Sequence, residues 1–172
     1  MKKKEESVNG LFKDQLVEDK HSHKEPAPPK PAGPEPEAWA VVVESSQIYL
    51  NMVSLALKEL GFGTHSFRHP SDAMVFLKGT TLEQLVKIAM VFADAGTADN
   101  SGLNFLDTLK AEESTNHLPF VFMANADDHA NIKQAMSLGA HSCLTKPFRD
   151  GAISERVLEI QVSLQKAPQK SR

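Results

Sequence analysis

A short apolar run that stops at a single carboxylate constrains this chain more than any other stretch. Residues 88–93 read Ile-Ala-Met-Val-Phe-Ala, and Asp94 follows them directly. Because the run does not alternate polar and apolar residues, it is typical of a strand buried on both faces of a parallel sheet. Sheets of that kind bind their ligands beyond the carboxyl ends of the strands. Asp94 is therefore predicted to lie at a binding edge.

More short apolar runs alternate with amphipathic segments along the chain. They predict further strands at 40–43, 63–68, 120–123 and 141–145. Alternating strands and helices favour a parallel sheet with helices on both faces and right-handed crossovers. We predict an α/β fold, a doubly wound five-stranded parallel sheet of order 2-1-3-4-5 (flavodoxin-like).

Helical periodicity and capping signals fill the segments between the strands. The first two predicted helices are 48–60, ended by Gly61, and 70–77, with Pro70 in its first turn. A third is marked by Leu103, Leu106 and Leu109, and a fourth covers 127–138, with Asp127 as N-cap and Gly139 at its end. The last is marked by Ile153, Val157, Ile160 and Leu164. Residues 80–87 are predicted to add one or two helical turns, since Thr80…Glu83 and Thr81…Gln84 both have capping-box spacing.

The two ends of the chain differ in composition from the middle. Residues 1–37 mix Lys with Glu and Asp and then become Pro-rich, so they are expected to be a disordered tail. The domain is predicted at 38–165, followed by a polar tail at 166–172. An apolar island at 8–17 is either a solvated part of the tail or a short docking helix for a partner.

Composition and motifs exclude several function classes. The net charge of -3 and pI of about 6.2 give no sign of a nucleic-acid partner or an anionic membrane surface. A single cysteine, Cys143, excludes an internal disulfide and fits a reducing, cytoplasmic location. No apolar run is long enough for membrane insertion. The histidines form no helical ligand pair and are expected on the solvated surface, with His65 and His69 around a loop.

Polar residues follow three of the predicted strands. Glu44 and Ser45 come after strand one, Asp94 after strand three and Lys146 after strand five. The predicted strand order brings these ends to one edge of the sheet. Two carboxylates and a lysine could bind Mg²⁺ and a phosphoryl group, because Mg²⁺ prefers oxygen ligands and Lys supplies a point positive charge.

In combination, the motifs resemble those of the receiver domain of two-component response regulators, over residues 39–165. The matching features are Asp94 followed eight residues later by Gly102-Leu103, Leu118-Pro119 before strand four, Gly139-Ala140 before strand five, Lys146-Pro147-Phe148 after it, and the run Lys-Glu-Leu-Gly-Phe at 58–62. The resemblance implies that Asp94 accepts phosphate from a histidine kinase and that Lys146 contacts the phosphoryl group. It also implies a Mg²⁺ ion held by Glu44, Asp94 and the Gly96 carbonyl, and a cis Lys146–Pro147 bond.

Several positions depart from the family pattern. Ser45 stands where an acidic residue normally binds the metal, so any Mg²⁺ site is expected to be weak. Ala124 replaces the Thr or Ser whose hydroxyl would bond to the phosphoryl group, and Cys143 replaces the aromatic residue that would respond to it. The Met-Pro pair of the loop after Asp94 is replaced by Thr97-Ala98.

These departures favour a degenerate receiver, or pseudo-receiver, that is not an enzyme and signals by protein–protein interaction with little or no phospho-switching. The alternative is a functional receiver that accepts phosphate on Asp94 within a phosphorelay, and a remote alternative is a small ligand- or flavin-binding α/β domain. No output domain is expected after it, so the expected partner is a protein, such as a histidine kinase or a motility or chemotaxis target. A homodimer is also open, because Leu158 and Val162 widen the apolar stripe of the last helix.

Overall fold

Five parallel strands form one sheet of order β2-β1-β3-β4-β5. They are β1 (Trp39–Val43), β2 (Gly63–Phe67), β3 (Ile88–Asp94), β4 (Phe120–Asn125) and β5 (Ser142–Lys146). The structure is a computed structural model that describes residues 35–96 and 101–166. The predicted fold class and strand order are confirmed.

Helices cover both faces of the sheet. They are α1 (Gln47–Glu59), α2 (Pro70–Gly79), α3 (Leu82–Leu85), α4 (Ser101–Ala111), α5 (His129–Ser137) and α6 (Ala152–Lys166). Helices α1 and α6 bury their apolar sides against one face, while α2, α3, α4 and α5 cover the other. The short α3 has a capping box in which the Thr81 side chain accepts from the Gln84 N–H and the Gln84 side chain accepts from the Thr81 N–H.

The centre of the sheet explains why the run at 88–93 does not alternate. Strand β3 pairs with β1 on one side and β4 on the other. Successive side chains of a strand point to opposite faces. Val91 and Ala93 therefore pack under α2, α4 and α5, whereas Met90 and Phe92 pack under α1 and α6. Both faces are apolar because both are covered, and Asp94 is carried to the carboxyl end of the sheet.

Three local predictions were wrong. Helix α5 begins at His129 rather than at 127, and Asp127 is not its N-cap. Leu164 is exposed, so the apolar stripe of α6 ends at Ile160. His65 lies within β2 and stacks on Trp39 rather than flanking a loop. The helical turn predicted within 80–87 is confirmed by α3, whose capping box uses Thr81, while the Thr80 hydroxyl donates to the Phe76 carbonyl.

Some predictions concern residues outside the described ranges. These are the tail before residue 35 with its island at 8–17, the Thr97-Ala98 pair, and the tail after residue 166. Among the helices of residues 35–96 and 101–166, none has the length and apolar character needed to cross a membrane.

Candidate functional site

The carboxyl edge of the sheet brings Glu44, Asp94 and Lys146 into direct contact. The Lys146 Nζ lies 2.5 Å from Glu44 Oε2 and 2.6 Å from Asp94 Oδ1. The strand register explains this contact. Strands β1 and β3 are neighbours in the sheet and end side by side. Lys146 is the last residue of β5, and its long side chain extends across β4 toward them. We call these three side chains the ion triad.

The ion triad is poorly accessible to water. The Glu44 side chain is 1% exposed, that of Lys146 8% and that of Asp94 14%. Burial by itself lowers the pKa of Lys146, but the hydrogen bonds to Asp94 and Glu44 and their negative charges outweigh burial and raise it. Lys146 therefore remains an ammonium, and the triad has one uncompensated negative charge.

Backbone amides hold the remaining carboxylate oxygens. Glu44 Oε1 accepts from the Ser46 N–H at 2.9 Å, and Asp94 Oδ2 accepts from the Gly96 N–H at 3.2 Å. Gly96 has φ of 69°, a left-handed conformation that favours glycine. Each carboxylate therefore has one oxygen in contact with the Lys146 ammonium and the other hydrogen-bonded to a backbone N–H just after its own strand.

An aromatic wall lies beside the ion triad. The Lys146 Nζ is 4.7 Å from the centroid of the Tyr49 ring, within the range of a cation–π contact. Tyr49 in turn meets Phe148 edge to face, with centroids 5.1 Å apart. The Lys146–Pro147 bond is cis, as the resemblance implied. This wall limits the positions that the ammonium can take.

The donor set does not fit a resident Mg²⁺ ion. The ammonium already contacts one oxygen of each of the two carboxylates that would be ligands. The Ser45 side chain is exposed, and its carbonyl accepts from Arg68 Nη2 at 2.7 Å. Within the described part of the chain, no three His, Cys, Asp or Glu residues form a group that could hold a metal. Mg²⁺ is a hard cation that prefers oxygen ligands, and this arrangement leaves it few free carboxylate oxygens.

The two predicted switch positions are packed as apolar core. Ala124 on β4 is fully buried, and Cys143 on β5 is half-buried against the core under α2, α4 and α5. Burial raises the pKa of the Cys143 thiol, which therefore stays neutral at ordinary pH. Neither side chain offers a hydroxyl group to a phosphoryl oxygen or an aromatic ring that could change its exposure.

Sequence reasoning missed two neighbours of the site. Tyr49 was predicted only as part of the helix at 48–60, and Arg68 only as the end of the strand at 63–68. A usable signal existed for Tyr49, since it lies in the first turn of the helix after β1, and that turn opens at the same edge of the sheet. Arg68 had no comparable signal, because its contact joins two loops.

Comparison with sequence families gives one broad match. A family model described as the response regulator receiver domain matches residues 40–158. The response regulator PleD of Caulobacter vibrioides is 30% identical over 70 residues, which cover 41% of this chain and 15% of PleD. The chain therefore matches only a small part of that curated relative.

Solved structures share the fold. The chemotaxis response regulator CheY4 of Vibrio cholerae has a TM-score of 0.62 at 15% identity, over 72% of this chain and 98% of that one. A response regulator from Thermotoga maritima has a TM-score of 0.59 at 27% identity, over 72% of this chain and 97% of that one.

Proposed function

Because this chain belongs to the response regulator receiver domain family, we propose that it acts in signalling through contacts with other proteins and that its phosphorylation site is degenerate. On this proposal Asp94 undergoes little or no phospho-switching, and the domain catalyses no reaction of its own. The partner would be a kinase or an effector protein. The observation that carries the proposal is the closed ion triad of Glu44, Asp94 and Lys146.

The charge of the ion triad opposes phosphorylation. A phosphoryl group on Asp94 would add negative charge beside Glu44, which is buried and shares the Lys146 ammonium with Asp94. Charge held away from water is costly unless it is compensated, and like charges at close range raise that cost. Ser45 supplies no further carboxylate through which a divalent cation could offset it.

The residues around the triad also lack a means of transmitting phosphorylation. Ala124 cannot hydrogen-bond to a phosphoryl oxygen, and Cys143 has no ring to swing between two positions. A conformational response needs a contact that differs between two states. With these two side chains, phosphorylation would change few contacts beyond the acidic edge itself.

The second candidate is a functional receiver in which Asp94 accepts phosphate from a histidine kinase. It is favoured by the accessibility of Asp94, the most exposed member of the triad at 14%. In that reaction a carboxylate oxygen of Asp94 would attack phosphorus, forming an acyl phosphate while the donor's leaving group departs.

A phosphodonor experiment separates the two candidates. The full chain is incubated with acetyl phosphate and Mg²⁺ and its intact mass is measured, with a receiver that has both acidic residues after strand one as positive control. We expect no phosphoryl adduct on this chain under conditions that modify the control receiver. A stoichiometric adduct that disappears in Asp94→Ala would overturn the degenerate reading in favour of the second candidate.

Restoring the lost carboxylate is predicted to improve Mg²⁺ binding. Ser45→Asp should tighten binding about tenfold, or about 1.4 kcal/mol, because the ion gains an anionic oxygen ligand. Calorimetric titration with Mg²⁺ measures the change. Ser114→Asp is the matched control, since Ser114 is exposed in the turns between α4 and β4, at the opposite edge of the sheet. Equal affinities for the two variants would mean that Ser45 does not occupy the metal-facing position.

A further inference from the structure

Helix α1 is apolar on the side that faces solvent as well as on the side that faces the sheet. Its core side consists of Leu50, Val53 and Leu57. On the opposite side, Ile48 is 73% exposed, Met52 42% and Leu55 59%. Residues four and three apart lie on one face of a helix, so these three side chains form a continuous outward stripe.

Neither the stripe nor its helical surroundings are charged. Residues 47–57 contain no Asp, Glu, Lys or Arg. Contiguous exposed apolar surface of this kind marks an interaction site. Helix α6 packs beside α1 and exposes Leu158 and Val162, one turn apart. We call Ile48, Met52, Leu55, Leu158 and Val162 the α1–α6 face.

We propose that the α1–α6 face binds a second copy of this chain, with the two α1 helices packed antiparallel about a twofold axis near Met52. In a twofold contact the same patch meets itself, which a charged patch resists and the uncharged stripe of α1 allows. The antiparallel arrangement places Ile48 of one copy against the partner's Leu55. The apolar surface that is exposed in a single chain is then buried on both copies of the dimer.

The two ends of α1 also fit an antiparallel pair. The first turn of α1 has no acidic residue, and the N-cap Ser46 makes no side-chain capping bond. Helix amino ends attract negative charge because their N–H groups lack partners within the helix. Antiparallel packing moves the partner's Glu59 toward this end. A parallel pair would instead place two Glu59 carboxylates side by side.

The size of the face predicts a weak, concentration-dependent dimer. Stable interfaces bury about 800 Å² on each partner, more than three side chains of one helix provide. Leu158 and Val162 on α6 are needed to approach that area. Dimerisation through this face does not depend on the chemistry of Asp94 and is therefore expected whether or not Asp94 forms a phosphoryl adduct.

Analytical ultracentrifugation of the full chain at increasing concentration tests the proposal. The mean mass should rise from the 18.9 kDa of one chain toward twice that value.

Met52→Asp should weaken association about tenfold or more, because two carboxylates would meet near the axis. Val75→Asp is the matched control: Val75 is as exposed as Ile48 but lies on α2, on the other face of the sheet. Circular dichroism verifies folding, and Leu55→Lys is the second variant should Met52→Asp unfold.

Cysteine cross-linking tests the position of the axis. In a Cys143→Ala background, Met52→Cys should form a disulfide-linked dimer on mild oxidation and Val75→Cys should not, since a disulfide needs close Cβ atoms. A chain that stays monomeric at every concentration overturns the proposal. A dimer that is unaffected by both Met52→Asp and Leu55→Lys, or that cross-links equally through Val75→Cys, overturns it as well.

Discussion

Replacing Lys146 with methionine is expected to destabilise the fold by about 3–5 kcal/mol, because two buried carboxylates lose the ammonium they share. Methionine has a similar length and keeps most of the packing, so the loss reports charge rather than volume. Glu44, at 1% exposure, has no route to water that would relieve the repulsion from Asp94. Urea unfolding of the two proteins at neutral pH measures the difference in the free energy of unfolding.

The cost of Lys146→Met should depend on pH in a defined direction. At high pH the native chain itself loses the contribution of Lys146. The pKa of this lysine is raised in the folded state above its ordinary value of 10.5, so its contribution is complete below that value and is lost as pH rises through the raised pKa.

Two comparisons make this prediction specific to the buried triad. Lys78→Met removes an ion pair with Glu112 at 3.0 Å whose side chains are about half exposed, and it should cost less than about 1 kcal/mol. Adding Asp94→Asn to Lys146→Met should recover part of the loss by removing one carboxylate charge. A pH-independent loss, or no recovery in the double variant, would show that Lys146 acts by packing instead.

The sheet was predictable because its sequence signals are local and redundant. The run at 88–93 is apolar at every position, which only a doubly covered strand requires, and similar runs recur at intervals that accommodate crossover helices. Once the strand order is set, the meeting of Asp94 with Lys146 follows from topology, since both residues end strands that point the same way. Propensity and periodicity suffice for conclusions at that level.

Details that depend on tertiary packing were not predictable. Asp127 has the residue type of an N-cap, but the chain turns between Asn125 and Asp128, whose N–H donates to the Asn125 carbonyl at 3.1 Å, and this turn delays the helix. Asp128, at the cap position, makes no side-chain capping bond and instead accepts from the Asn131 amide. The contact of Arg68 with the Ser45 carbonyl joins two loops whose spacing the sequence does not encode.

Substituting alanine for Gly102 is expected to destabilise the fold by about 3 kcal/mol or more, as severe overpacking against backbone does. A Cβ atom at Gly102 would lie 2.0 Å from the Asp94 carbonyl oxygen and 2.7 Å from the carbonyl carbon and oxygen of Ala95. These atoms cannot retreat, because the Ala95 N–H donates to the Met123 carbonyl at 2.7 Å and fixes the chain to β4. Helix α4 would have to move away from the sheet, exposing its buried leucines.

Gly79→Ala is the matched control for Gly102→Ala, since Gly79 ends α2 with no atom within 4 Å of an added Cβ. It should change stability by less than about 1 kcal/mol, in the stabilising direction. Denaturant unfolding of both variants is the measurement, and equal effects would mean that α4 is not packed against the end of β3.

The expected loss of stability in Gly102→Ala also affects how the spacing between Asp94 and Gly102 is interpreted. If packing of α4 on its carbonyl requires glycine at this position, the spacing from Asp94 to Gly102 persists for structural reasons alone. A receiver that has lost its phosphate switch would keep that spacing, so the spacing is no evidence that Asp94 is phosphorylated.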